Sequence, residues 1–115
     1  EEFLNMHEMH LDHEPFELIK NGKKTIELRL NDEKRQLLQV GETLLFTDRK
    51  TNEELKTRIV ALHHYPTFAL LYPHFSKEAL GYLPCEDADP KDMEVYYPLE
   101  QQQKYGVLGI EIALI

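Results

Sequence analysis

Apolar and polar residues alternate singly through Thr25-Ile26-Glu27-Leu28-Arg29-Leu30. A strand there puts Ile26, Leu28 and Leu30 on one face and Thr25, Glu27 and Arg29 on the other. The first set reads as core. The second aligns a hydroxyl, a carboxylate and a guanidinium on a rigid element, with the ammonium groups of Lys23 and Lys24 at its entrance. Looser alternation predicts further strands at Met6 to Leu11, Thr43 to Asp48, Leu55 to His63 and Val107 to Ile115. Arg49 to Glu54 reads as a hairpin connection, and Tyr65-Pro66 as a break.

Helical signals fall between these segments. Asp12 or His13 can cap a short helix with Glu14 and Pro15 in its first turn, Phe16, Ile19 and Lys20 along one face, and Asn21-Gly22 at its end. Gln36 to Val40, Thr67 to Tyr72 and Ser76 to Leu80 are short candidates. Asp89-Pro90 is a capping acid followed by proline, a good start for a helix over Lys91 to Tyr97 that continues past Pro98 toward Gln103. Strands with long excursions between them predict an α+β fold, a small barrel or strongly curved mixed sheet with helices at its rim. At 115 residues the chain is expected to form one domain, 1–115, with one core.

Charge is unevenly distributed. The net charge is -8, yet residues 20–58 carry ten of the thirteen Lys and Arg and an excess of +3. The locally basic segment is therefore the one that bears the alternating strand. An acidic chain excludes an indiscriminate binder of long duplex, but a small anionic ligand or a short single strand can be drawn to that segment. Cys85 is the one cysteine, so no intrachain disulfide forms and a reducing, cytoplasmic setting is expected. No apolar run approaches the roughly 18 residues of a membrane span, and the acidic amino terminus does not read as a signal peptide, so no membrane partner is expected.

Other candidate chemistry is weaker. His7, His10 and His13 have helical metal spacing, but the segment reads as a strand, and Cys85 has no ligand partner nearby. No metal and no cofactor are expected. Glu86, Asp87 and Asp89 around Cys85 argue against a reactive thiolate. Tyr96, Tyr97 and Tyr105 can stack on a base, although aromatic residues near a helix end usually close a core.

From Pro15 the chain reads Pro-Phe-Glu-Leu-Ile-Lys-Asn-Gly-Lys-Lys-Thr-Ile-Glu-Leu-Arg, then Asp32-Glu33-Lys34-Arg35, then Val40-Gly41-Glu42 into Thr43-Leu44-Leu45-Phe46. This order of helix, Gly-x-Lys-x-x-Glu-x-Arg strand and Gly-Glu turn resembles the ASCH domain family, the activating-signal-cointegrator homology domains. The match is dense over residues 6–48 and looser beyond. The resemblance implies a PUA-like β-barrel with a cleft beside its helices, and a module linked to RNA. It also touches a bacterial branch of small amidohydrolases that deacetylate acetylated cytidine. That branch's lysine matches Lys24 and the adjacent threonine matches Thr25. Its nucleophilic threonine falls at Glu27, and its catalytic glutamate has only an unaligned counterpart in Glu86. A glutamate cannot supply a hydroxyl nucleophile, although it can activate a water.

Two functional readings follow, beside a plain ion-pair network on the strand. In one, Lys24, Thr25, Glu27 and Arg29 bind RNA, a nucleoside or a nucleotide. Lys24 and Arg29 then meet phosphate or a carbonyl, and Glu27 accepts from an exocyclic amine. In the other, the chain is an amidohydrolase or ribonuclease, with Glu27 as base and Lys24 and Arg29 stabilising the developing negative charge. The oligomeric state is not legible.

Overall fold

Among the residues that the structure describes, five strands make one mixed sheet in the order β1-β3-β4-β5-β2. The computed structural model describes residues 6–115, and the acidic residues 1–5 lie outside them. The strands are β1 (Met6–Leu11), β2 (Ile26–Leu30), β3 (Thr43–Asp48), β4 (Glu54–Tyr65) and β5 (Val107–Leu114). β1 runs parallel to β3, and the other pairings are antiparallel. β4 carries a register shift between Ile59 and Ala61, and such a bulge bends and twists a strand. The sheet curls into a half-barrel whose two edges are β1 and β2. The α+β, PUA-like architecture expected from the sequence is the one observed.

Among the described residues, four short α-helices flank the sheet: α1 (His13–Lys20), α2 (Phe68–Leu71), α3 (Lys77–Leu80) and α4 (Leu99–Tyr105). Thr67 and Ser76 cap α2 and α3 by accepting the amides of Leu70 and Ala79. One expectation fails. The helix foreseen from Lys91 past Pro98 is instead a 3-10 segment, Pro90–Val95, and α4 begins afresh after Pro98. Proline has no amide to donate and drives the preceding residue, Tyr97, out of helical backbone. The break turns the chain at Tyr96-Tyr97.

Burial on both faces of β2 follows from the register. Glu27 pairs with Ile110 and Arg29 with Leu108, while Leu28 pairs with Gly109. Leu108 and Ile110 belong to a core cluster with Phe16, Ile19, Leu44, Phe46 and Ile59, covered by α1. Ile26 and Leu28 face the other cluster, with Val107 of β5 and Phe68, Leu71, Tyr72 and Leu80 from the helical excursion. Gly109 lets β5 and β2 approach that second layer, because a Cβ there would lie 3.2 Å from Ile26 and 3.3 Å from Leu71. The polar side of β2 is therefore not a solvated face. Glu27 is only 5% exposed, on the side of the sheet that carries the larger core.

A cleft at the open seam of the half-barrel

Three charged side chains meet where the two edge strands face each other. Glu27 Oε2 accepts from Arg29 Nε at 2.7 Å, and Lys24 Nζ lies 3.4 Å from Glu27 Oε1. Arg29 Nη2 donates to the His10 carbonyl on β1 at 3.2 Å, so its side chain spans the seam that the sheet leaves unclosed. Lys24 precedes β2, and residues three apart would fall on opposite faces of a continuous strand. It reaches Glu27 because Gly22, at φ +81°, turns the chain after α1. The amides of Lys23 and Lys24 both donate to the Leu18 carbonyl. Lys24 Nζ is held from the other side by the Leu80 carbonyl at 3.1 Å.

Gly81 makes room for that lysine. It caps α3 at φ +105°, and a Cβ there would sit 2.9 Å from Lys24 Cδ and 3.1 Å from Nζ. Conformation and space both call for glycine at this position.

The electrostatics of the trio are self-consistent. Burial alone would push the Glu27 carboxyl up, but Lys24 and Arg29 outweigh it and hold the group below its ordinary value. Burial opposes the Arg29 charge and Glu27 restores it. Glu27 and Arg29 thus stay ionised at neutral pH, and with Lys24 beside them the trio carries a formal excess of one positive charge.

This trio forms part of the lining of a cleft of about 360 Å³. Its rim and walls include His10 and Asp12 from the end of β1, Arg49 from the β3–β4 turn, and Tyr72, Tyr82, Asp92, Tyr96 and Tyr97 from the helical excursion. Tyr97 packs on Phe68 with ring centroids 6.0 Å apart, and Tyr96 stays 66% exposed at the mouth. Tyr82 Oη bonds Asp92 Oδ2 at 2.8 Å and Tyr72 Oη at 2.9 Å. Arg49 is paired with Asp12 at 3.1 Å. Counted over the whole lining, Lys24, Arg29 and Arg49 balance Asp12, Glu27 and Asp92. Such a cleft suits a dipolar, weakly charged planar ligand better than a polyanion.

The residues singled out in the sequence separate into two groups. Lys24, Glu27 and Arg29 converge on the cleft, whereas Thr25 does not line it. Thr25 instead joins layers through its backbone, its amide donating to Ala79 and its carbonyl accepting from Ile112. Glu86 lies along a second depression, where it accepts the Leu83 amide at 2.7 Å. Tyr105 lies under the Lys104 ammonium, outside the cleft. The tyrosines at positions 72 and 82, Asp92 and Arg49 were missed, because no spacing in the chain relates them to β2.

Histidines pair with carboxylates far along the chain. His7 meets Glu42 at 2.7 Å, His13 meets Asp48 at 2.6 Å and His63 meets Glu111 at 2.8 Å. His13, Glu17 and Asp48 are the one trio of metal-ligand side chains grouped closely among the described residues. Asp48 is already occupied there, by His13 on one oxygen and by the Lys50 amide on the other. Among the described residues no helix is long and apolar enough to cross a membrane.

Comparison with known proteins agrees with the motif order and the topology. The family model for the ASCH domain matches residues 9–115. The crystal structure of hypothetical protein PH0355 is 35% identical and superposes with a TM-score of 0.81, covering 96% of this chain and all of its own. The solution NMR structure of protein PF0455 from Pyrococcus furiosus is 36% identical with a TM-score of 0.70, over 96% of this chain and 98% of that one. The comparison with curated proteins found no match. With the signature strand, the half-barrel and a family match over nearly its whole length, the chain belongs to the ASCH domain family.

Proposed function

We propose that the seam cleft binds a nucleoside or nucleotide, free or as one unit of a short single-stranded RNA. The observation that carries this reading is the pair of cations, Lys24 and Arg29, sharing one buried carboxylate inside a cleft walled by tyrosines. The local positive excess of the trio suits a carbonyl or a single phosphate, and the aromatic walls suit a planar base. The volume is that of a small-molecule site. Lys24 has an N–H left after the Leu80 carbonyl and Glu27, and the five N–H groups of Arg29 exceed what Glu27, His10 and the neighbouring Tyr97 take.

Binding is favoured over hydrolysis by the state of Glu27. Both its oxygens face cations and its basicity is depressed, which suits a counterion better than a general base working at neutral pH. The proximity of Lys24 to Glu27 is the one feature that a hydrolytic reading also uses.

Calorimetry with nucleosides, nucleoside monophosphates and short single-stranded RNA tests the proposal. Lys24→Met should weaken binding about 10- to 100-fold, the worth of one hydrogen bond from a charged group. Lys104→Met, outside the cleft, should leave it unchanged. An equal effect of the two substitutions would overturn the reading. Turnover of acetylated cytidine or RNA by the wild type, abolished by Glu27→Gln, would favour the hydrolase instead.

A further inference from the structure

Besides the charged trio, the cleft wall carries a chain of hydroxyls that ends on a carboxylate. Tyr82 Oη has three neighbours: Asp92 Oδ2 at 2.8 Å, the Asp89 carbonyl at 3.2 Å and Tyr72 Oη at 2.9 Å. A phenol carries one proton. The carboxylate and the carbonyl can only accept, so the Tyr82 proton belongs to them, and Asp92 is the nearer and the charged one. The Tyr72–Tyr82 contact then needs its proton from Tyr72. Burial raises both phenols above their ordinary values, so neither loses its proton near neutral pH. Both protons of the chain are therefore committed in one direction, toward Asp92.

Tyr72 is left with unused acceptor capacity and no proton to offer. Tyr72 is 7% exposed and lines the cleft, and its hydroxyl has no protein partner but Tyr82 among the described residues. The cleft thus holds a pure acceptor at Tyr72 and pure donors at Lys24 and Arg29. A ligand edge that satisfies both must carry an N–H for the first and a carbonyl or anionic oxygen for the second.

We propose that the Tyr72–Tyr82–Asp92 chain is a specificity device, presenting Tyr72 Oη as a fixed acceptor that selects bases bearing an exocyclic amine over those bearing a carbonyl at that place. This rests on the reading of the cleft as a nucleoside site. Selection of this kind is strong because the wrong partner sets two acceptors against each other and leaves both unpaired in a partly buried site. Tyr82 and Asp92 act as positioning residues; neither need touch the ligand.

The test uses pairs that differ by amine against carbonyl, cytidine with uridine and adenosine with inosine, titrated into the whole chain by calorimetry. The wild type should prefer the amine member of at least one pair by about tenfold or more. Tyr82→Phe removes the acceptor that holds the Tyr72 proton, which can then turn into the cleft. The preference should fall to about unity or reverse, with affinity for the carbonyl member kept or raised. Tyr72→Phe deletes the acceptor itself and should also flatten the ratio, and it replaces Tyr82→Phe if that variant fails to fold. A wild type that binds both members equally, or a ratio unchanged in these variants, overturns the specificity device while leaving the cleft a binding site. Absence of binding by all four nucleosides overturns the site itself, and the device with it.

Discussion

Glu27→Ala is expected to lower folding stability by about 3–5 kcal/mol, the usual effect of removing one partner from a buried ion pair. The size follows from what is left behind. Lys24 is 8% exposed and Arg29 is mostly buried, and neither has another carboxylate within ion-pair distance among the described residues. The Leu80 and His10 carbonyls would remain as their fixed partners, which answers their hydrogen bonds but not their charges. Denaturant unfolding with a constant slope would measure the loss. Combining Glu27→Ala with Lys24→Met should cost less than the sum of the two, because the second change removes a charge that the first had stranded.

The same carboxylate gives the stability a pH dependence of known sign. Its folded-state pKa lies below the ordinary value of 4.5, so the unfolded chain binds the proton more readily. The contribution of Glu27 is thus fully present above about pH 4.5–5 and is lost as pH falls through the depressed folded value. Glu27→Gln should flatten the acid limb of the stability profile relative to the wild type.

Gln102→Leu is expected to cost about 2–4 kcal/mol, although it exchanges a polar core residue for an apolar one of similar size. Gln102 is 2% exposed, and its amide accepts from the Phe68 amide at 3.0 Å and donates to the Tyr97 carbonyl at 2.9 Å. Phe68 opens α2, where the first amides have no partner within the helix. Leucine would leave both backbone groups unpaired. Because Tyr97 walls the cleft, the same substitution should weaken nucleoside binding in the fraction that remains folded. Thermal unfolding beside calorimetric affinity separates the two effects.

What could be read from the chain follows the range of each interaction. The alternation over residues 25–30 is local, and the strand, its apolar face and the separation of Glu27 from Ile26 were legible there. The turn after α1 was legible from Asn21-Gly22, and it is what brings Lys24 to Glu27. The motif order also pointed to the family and so to the barrel. Alternation alone does not tell whether Glu27 and Arg29 face solvent or protein, and the structure buries them, because β5 pairs with β2 and carries Leu108 and Ile110 on the same side. That pairing spans about eighty residues and leaves no periodic trace. The aromatic wall was illegible for the same reason: Tyr72, Tyr82 and Asp92 come together only through the packing of a largely irregular excursion. The halt at Pro98 was legible from the missing amide, and the capping signal at Asp89-Pro90 extends only to Val95.

Amide and side-chain chemical-shift mapping during titration with cytidine monophosphate tests the central claim most directly, that the open seam of the half-barrel is the ligand site. The expected result is a contiguous set of shifts at Lys24, Glu27, Arg29, Tyr72 and Tyr97, saturating with ligand, with β3 and the far end of β4 unmoved. Shifts confined to another surface, or none at millimolar ligand, would contradict it.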